Sequence, residues 1–150
     1  MGVMVRNLQR VFLIPQVLVL WFWARKYRVK HFRVFAHEAL VIRKSGLFLP
    51  QYYHGVSKNP KPSSGFFQQL RLISHFLAIG AKEGFKPNPL FSVRFYLNAY
   101  PDVSELHINP LVHYIQHGGK EGRSTHALFD GAFFQSQLRD HLNPSDTPLG

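Results

Sequence analysis

The 150-residue sequence predicts a small, mostly α-helical protein, and three observations favour this class. Hydrophobic residues make up 45% of the chain and aromatic residues 15%, which is enough to build a core. A segment with the same residue pattern occurs twice, as in helical repeat proteins. The N-terminal third has the spacing of an amphipathic helix. The sequence therefore predicts two to three tandem helical units of 38 to 43 residues, preceded by a basic, apolar N-terminal helical region.

The N-terminal region begins with an apolar run, VFLIPQVLVLWFWA at 11–24. As a helix this run would be about 21 Å long, which is shorter than the roughly 30 Å hydrocarbon core of a bilayer. Trp21 and Trp23 stand at its end beside Arg25 and Lys26, an arrangement typical of the membrane–water interface. A secretory signal peptide is an alternative interpretation, although WFWARKY makes a poor cleavage site.

Residues 26–45 are predicted to form one amphipathic helix that ends before Gly46. Its apolar stripe consists of Phe32, Phe35, Ala36, Ala39 and Leu40. The functional interpretation makes 1–45 a membrane-associating segment whose apolar face enters the headgroup region of anionic lipid. The structural interpretation is a helix packed on the following domain with a solvated basic face. Membrane contact is assigned to Trp21, Trp23, Arg25, Lys26, Arg28, Lys30 and Arg33.

The charge distribution places any anionic partner at the N-terminal third. The net charge is +10, and residues 1–45 contain nine Lys or Arg and one acid. An anionic membrane surface is the expected partner. A nucleic-acid partner is disfavoured, because no nucleic-acid-binding motif accompanies the charge. The chain has no Cys, which excludes disulfides and thiolate sites.

The internal repeat joins HFLAIGAKEGF at 75–85 with HYIQHGGKEGR at 113–123 at a constant shift of 38 positions. The element that begins each unit occurs three times, as LFLPQYY at 47–53, LFSVRFY at 90–96 and LFDGAFF at 128–134. The predicted organisation is a helical domain at 46–140 with units at about 47–89, 90–127 and a partial 128–140, followed by a tail at 141–150. The residues assigned to the repeated structure are His75, Gly80, Glu83, Gly84, His113, Gly118, Glu121, Gly122 and Arg123.

Each unit is predicted to contain helices that begin at an Asn-Pro pair. Asn88 and Asn109 are expected to be N-caps, each followed by Pro at the first helical position. A short helix would run from Leu90 to about residue 98. The second helix would end at Gly118 in the left-handed conformation, and Gly122 would permit a further tight turn.

The cluster of His113, His117 and Glu121 has two interpretations, of which the structural one is favoured. Two His four positions apart could bind one metal ion, and the cluster could serve a glycan-active or metal-dependent enzyme. However, the other unit has Ile79 in place of His117, so the pair is not part of the repeated pattern. No metal or other cofactor is therefore predicted. Glu121 is expected to accept backbone N–H bonds or to pair with Arg123 or a neighbouring Lys.

Other catalytic patterns give little support for an enzyme. The sequence lacks HExxH, GxSxG, the P-loop and GxGxxG. The acidic residues are spread over separate turns, and Asp102 and Asp130 are interpreted as turn or N-cap residues. Catalysis by this chain on its own is not predicted.

Three stretches resemble a repeat found in bacterial polysaccharide-assembly proteins, where it accompanies glycosyltransferases of the rhamnan-synthesis type. They are SGLFLPQYY at 45–53, NPLFSVRFYLNAYPDV at 88–103 and NPLVHYIQHGGKEGRSTHALFDGAFF at 109–134. The resemblance covers about 45–135 and is most specific in the second unit. The first unit departs from it, because Pro-Asp-Val is missing after Tyr53 and Phe85 stands in place of Arg123.

The resemblance implies a role in bacterial cell-envelope polysaccharide synthesis, without a catalytic domain in this chain. The expected function is that of a non-catalytic accessory or targeting module at the cytoplasmic face of the inner membrane, peripheral or monotopic. Its expected partners are the anionic membrane surface and a glycosyltransferase or glycan. A secreted repeat protein with a signal peptide is a further alternative.

Overall fold

The computed structural model describes residues 15–57 and 65–132, and these residues are mostly helical. The predicted fold class, mostly α, is confirmed, and no strand forms within these two ranges. The tandem repeat and the domain boundaries stay predictions. The start of the apolar run, most of the 57–65 loop, the end of the partial third unit and the tail at 141–150 lie outside the described residues.

The described helices are numbered in chain order. They are α1 (15–26), α2 (Phe32–Ser45), α3 (Pro50–Ser57), α4 (Phe66–His75), α5 (Ala81–Glu83), α6 (Val93–Ala99), α7 (Pro101–Glu105) and α8 (Pro110–His113). Two π-helical turns continue α4 and α8; they are π1 (Phe76–Gly80) and π2 (Tyr114–Gly118). Helix α2 packs against α4, α8 and both π turns, so it forms one body with the helices that follow.

The predicted helix over 26–45 is wrong at its N-terminal end. Helix α1 ends at residue 26, and α2 begins only at Phe32. Between them Arg28 has a φ of 54°, a left-handed conformation that no helix continues through. The predicted stop is confirmed, since Gly46 closes α2 with a φ of 74°. The predicted stripe also faces inward: Phe35 and Ala39 are buried and its other members are partly buried.

Of the two glycines with predicted roles in the second unit, Gly118 differs from its prediction and Gly122 agrees with it. Gly118 does not end its helix in the left-handed conformation, because it closes the π2 turn with the helical path continuing into Gly119. Gly122 has the left-handed φ of 68° that the predicted tight turn requires, and Gly84 has 79°. The backbone N–H of Arg123 donates to the Gly118 carbonyl at 2.8 Å, a bond that closes this turn.

The two Asn-Pro pairs behave differently. The Asn109 side chain accepts bonds from the N–H groups of Leu111 (3.1 Å) and Val112 (3.4 Å), which confirms it as the N-cap of α8. Asn88 is not an N-cap, since α6 begins five residues later with Ser92 as its cap. The Asn88 side chain accepts a bond from the Leu90 N–H at 2.8 Å within a turn, and it donates to the Leu47 carbonyl at 2.7 Å, which joins two segments 41 positions apart.

Aromatic side chains fill the core. The largest fully buried side chains include Tyr53, Tyr96, Tyr114, Phe48, Phe76 and Phe91. Phe48 packs on Tyr53 with ring centroids 4.9 Å apart, and Phe91 packs on Tyr96 at 5.3 Å. These tilted pairs add to the burial energy of the rings. The core therefore accounts for part of the abundance of Phe and Tyr in the sequence.

Candidate functional site

The three residues of the predicted cluster, His113, His117 and Glu121, have different surroundings in the structure. His113 is buried, and its Nδ1 lies 2.9 Å from the Tyr96 hydroxyl. His117 is exposed, with its ring centroid 5.6 Å from that of His113. Glu121 accepts a 2.6 Å bond from Arg123 Nε, one of the two predicted roles for this carboxylate. Both His113 and Glu121 are thus committed to structural partners.

Metal-ligating residues do not converge in the part of the chain that the structure describes. Across residues 15–57 and 65–132, no group of three or more His, Cys, Asp or Glu is placed to hold a metal ion. Asp130 accepts a bond from the Ala132 N–H at 3.0 Å, in keeping with its predicted role as a turn or cap residue. Asp102 lies in the first turn of α7, but its main partner is Arg123.

The repeated histidines each hydrogen-bond a buried tyrosine. His75 Nδ1 lies 2.7 Å from the Tyr53 hydroxyl, and His113 makes the same contact with Tyr96. Burial lowers the pKa of both histidines below the ordinary 6.5. Burial likewise raises the pKa of both tyrosines far above 10. Each pair is therefore neutral at pH 7. The Tyr53–His75 pair joins α3 to α4, and the Tyr96–His113 pair joins α6 to α8.

The repeated glycines face the same two hydroxyls. A Cβ atom added to Gly80 would overlap the Tyr53 hydroxyl, and one added to Gly118 would overlap the Tyr96 hydroxyl. The π turns place these glycines directly against the tyrosine hydroxyls, and this close approach leaves no room for a Cβ atom on the glycines. Sequence reasoning identified the glycines but attributed them to backbone bending. The recurrence of Tyr at 53 and 96 was the signal that could have indicated the contact.

Acidification is expected to destabilise the protein between pH 7 and about pH 5.5. The folded-state pKa of His75 and of His113 is lowered, so the unfolded chain takes up protons first as the pH falls through 6.5. Their contribution to stability is therefore complete above this pH and decreases below it. Urea unfolding at each pH measures the effect. The charged and titratable groups near the two rings are Arg71, Glu83, Asp102, His117, Glu121 and Arg123.

The double variant His75→Gln/His113→Gln should flatten this pH dependence. His31→Gln, which alters an exposed histidine at the start of α2, should leave it intact. Greater stability at pH 5.5 than at pH 7 in the native chain would contradict the assignment.

Arg123 is the centre of an ion-pair cluster that sequence reasoning only partly predicted. Its guanidinium bonds both Asp102 carboxylate oxygens, at 2.9 and 2.8 Å, and it also pairs with Glu121. It lies over the Tyr100 ring at 4.7 Å. Hydrogen bonding to Arg123 lowers the pKa of Asp102. The planar, bidentate geometry favours Arg over Lys here. The cluster ties α7 to the turn after π2.

Replacing Arg123 by alanine is expected to lower the melting temperature by about 5 °C, because one residue supplies all of these contacts. Glu121→Gln should have a smaller effect, since Arg123 keeps Asp102 and Tyr100. Differential scanning calorimetry compares the two. An Arg123→Ala variant with the same melting temperature as the native chain would show that these surface ion pairs do not contribute to stability.

The residues predicted to contact membrane lie mostly at the surface. Trp21, Arg25, Lys26, Arg28, Lys30 and Arg33 are exposed. Trp23 is half-buried and stacks on Tyr27 with ring centroids 5.9 Å apart. Cations lie over both indoles, with Lys26 Nζ 4.7 Å from the Trp23 centroid and Arg25 5.8 Å from that of Trp21. The end of α1 is therefore a cluster of indoles and cations.

The outer face of α1 is also apolar. The sequence pattern alone did not distinguish these exposed apolar residues from the buried ones. Leu20 and Ala24 are buried, whereas Leu18, Trp21 and Phe22 are 61%, 51% and 58% exposed. Phe67 of α4 adds a ring that is 56% exposed and lines the same cleft as Leu18 and Phe22. We call Leu18, Trp21, Phe22 and Phe67 the outer apolar face. Among the described residues, no helix has the length and apolarity needed to cross a membrane.

Comparison with family models, with curated proteins and with solved structures finds no match to this chain. The likeness to the polysaccharide-assembly repeat therefore stays an expectation from the residues. The outer apolar face and the cations beside it are the features of the described residues that bear on function.

Proposed function

We propose that this protein is a non-catalytic accessory or targeting module that attaches to the anionic cytoplasmic face of the bacterial inner membrane through α1. Attachment would place the following helices beside the machinery of cell-envelope polysaccharide synthesis. The observation that carries the membrane part is the outer apolar face with its adjoining cations. The polysaccharide part is supported by the resemblance of about 45–135 alone.

The outer apolar face is unusual for a helix at a protein surface. Such a helix normally places charged and polar residues opposite its buried stripe. In α1 the exposed positions instead include Leu18 and Phe22, opposite Leu20, and Trp21 on the adjoining flank. Contiguous exposed apolar residues mark surfaces that bind a protein, a ligand or a membrane. The aromatic share of this surface favours a membrane, whose interface accommodates Trp rings.

The adjoining cations favour an anionic bilayer. Helix α1 and the turn after it contribute Arg25, Lys26, Arg28 and Lys30, and residues 15–31 include no acid. Each Lys or Arg near an anionic bilayer contributes about 1 kcal/mol to binding. Apolar insertion and electrostatic attraction together are what keep an interfacial helix attached. A helix that lies in the membrane plane does not need to be long enough to cross the bilayer, so the short length of α1 is compatible with this attachment.

Cosedimentation with vesicles tests the proposal. The full chain should pellet with vesicles that contain phosphatidylglycerol and much less with pure phosphatidylcholine, and high salt should weaken the binding. A chain that stays in the supernatant with both vesicle types at low salt would overturn the proposal. Binding that is equal for both types would reject the electrostatic part.

The variant Arg25→Gln/Lys26→Gln is expected to weaken binding to phosphatidylglycerol vesicles by about 30-fold, because it removes two cations that contribute about 1 kcal/mol each. Lys82→Gln/Lys86→Gln makes the same change in net charge outside α1 and should bind nearly as well as the native chain. Equal losses in the two variants would mean that net charge alone attracts the protein.

A further inference from the structure

An open cleft between α1 and α4 adjoins the outer apolar face. Its volume is about 410 Å³, within the range of sites that hold small molecules. The cleft is lined by Leu18, Val19, Phe22, Trp23 and Phe67, together with the polar Gln68 and Arg71. Leu18, Phe22 and Phe67 belong to both features, so the cleft opens directly onto the surface that we propose contacts lipid.

One end of the cleft is cationic. Trp23 stacks on Tyr27, and the Tyr27 ring lies 6.2 Å from that of His75, so the end of α1 meets the end of α4. Arg71, half-buried and one turn before His75, lines the cleft toward this end. Lys26 lies over the Trp23 ring on the other helix. Neither α1 nor α4 includes an acidic residue in its described range.

We propose that this cleft holds an acyl chain of an anionic phospholipid, with the lipid phosphate against Arg71 and Lys26. The inference rests on the proposed membrane attachment and adds a single-lipid site to it. The apolar walls match the chain, and the two cations match the phosphate, for which Arg offers paired donors. The two cations beside the walls favour a ligand that has a phosphate over an apolar protein segment, which would fill the walls alone.

The two tryptophans of the sequence give a direct probe of the cleft. Trp21→Phe leaves Trp23, which lines the cleft, as the sole indole. This variant is titrated with dihexanoyl phosphatidylglycerol below the concentration at which that lipid forms micelles. The emission of Trp23 should change saturably, with affinity about tenfold higher than for dihexanoyl phosphatidylcholine. Inorganic phosphate alone should produce no change.

Variants in the same background assign the change to the cleft. Phe67→Ala removes one apolar wall and should weaken binding at least about tenfold. Lys26→Gln and Arg71→Gln should each reduce the preference for phosphatidylglycerol. Leu106→Ala, a truncation of an exposed apolar residue outside the cleft, should have no effect. Lys26 is exposed, so its variant tests the charge even if the half-buried Arg71 is needed for folding.

Several results would overturn the cleft site. The first is the absence of a saturable change in Trp23 emission, and the second is an equal change in Phe67→Ala. The third is a full response to phosphate alone. The fourth is an emission that depends on protein concentration without lipid, which indicates that a second copy of the chain occupies the cleft. Vesicle cosedimentation separates this failure from that of the proposed function. Pelleting without binding of monomeric lipid would leave membrane attachment in place and reject the cleft.

Discussion

Replacing Gly118 by alanine is expected to lower the free energy of unfolding by about 2–3 kcal/mol, at the upper end of typical overpacking costs. The added Cβ would overlap the hydroxyl of the buried Tyr96, which is hydrogen-bonded to His113. The Tyr96 ring has no space to move away from the added Cβ, because it is packed on Phe91 and Tyr114. Urea unfolding measures the change.

A double-mutant cycle tests the physical reason. Tyr96→Phe alone should destabilise the protein, because His113 Nδ1 loses its partner inside the core. In that background Gly118→Ala should cost much less, since the overlapping atom is gone. Gly55→Ala is the matched control, because a Cβ at Gly55 meets no atom within 4 Å and the substitution should not destabilise α3. Additive effects of the two changes would contradict the contact.

The variant Leu18→Ser/Phe22→Ser is expected to weaken binding to phosphatidylglycerol vesicles by about 100-fold. Both side chains lie on the outer apolar face, and a fully buried Leu or Phe contributes about 1.5–3 kcal/mol. Partial insertion of the two together therefore accounts for such a loss. Because neither side chain is buried in the free protein, the melting temperature should change little. Cosedimentation and thermal unfolding are measured on the same preparation.

The control for this variant is Leu106→Ser/Leu128→Ser, which changes two other exposed apolar residues, both outside α1. It should bind vesicles as the native chain does. If it loses as much binding as Leu18→Ser/Phe22→Ser, apolar exposure in general drives the association. If neither variant loses binding, the outer apolar face is not the contact.

The local signals in the sequence predicted much of the fold. Gly46 as a helix stop and Asn109 as an N-cap depend on residues within one turn, and both are confirmed. The prediction failed at Asn88, whose side chain bonds the carbonyl of Leu47, 41 positions away. It also failed over 26–45, where a break at Arg28 precedes the apolar stripe, which begins only at Phe32. Pattern reasoning sees helical spacing but not such breaks or long-range bonds.

The sequence predicted several of the residues of the candidate site but not which residues lie beside one another in space. The Trp and Arg residues at the end of the apolar run indicated an interface, but Phe67 comes to the same surface from a separate helix and gives no local signal. Arg123 was paired with Glu121 in the prediction, whereas its bidentate partner Asp102 lies 21 positions away. Such contacts depend on helix packing, which the spacing of residues does not specify.

The most direct test of the central claim, attachment through α1, is the fluorescence of Trp21 on a bilayer. The Trp23→Phe variant leaves Trp21 as the sole indole, half-exposed on the outer apolar face. With phosphatidylglycerol vesicles its emission should shift to the blue and be quenched by lipids brominated on the acyl chains, since an interfacial helix inserts about 5–10 Å. Emission that stays unchanged at saturating vesicle concentration, with no quenching, would contradict attachment through this face.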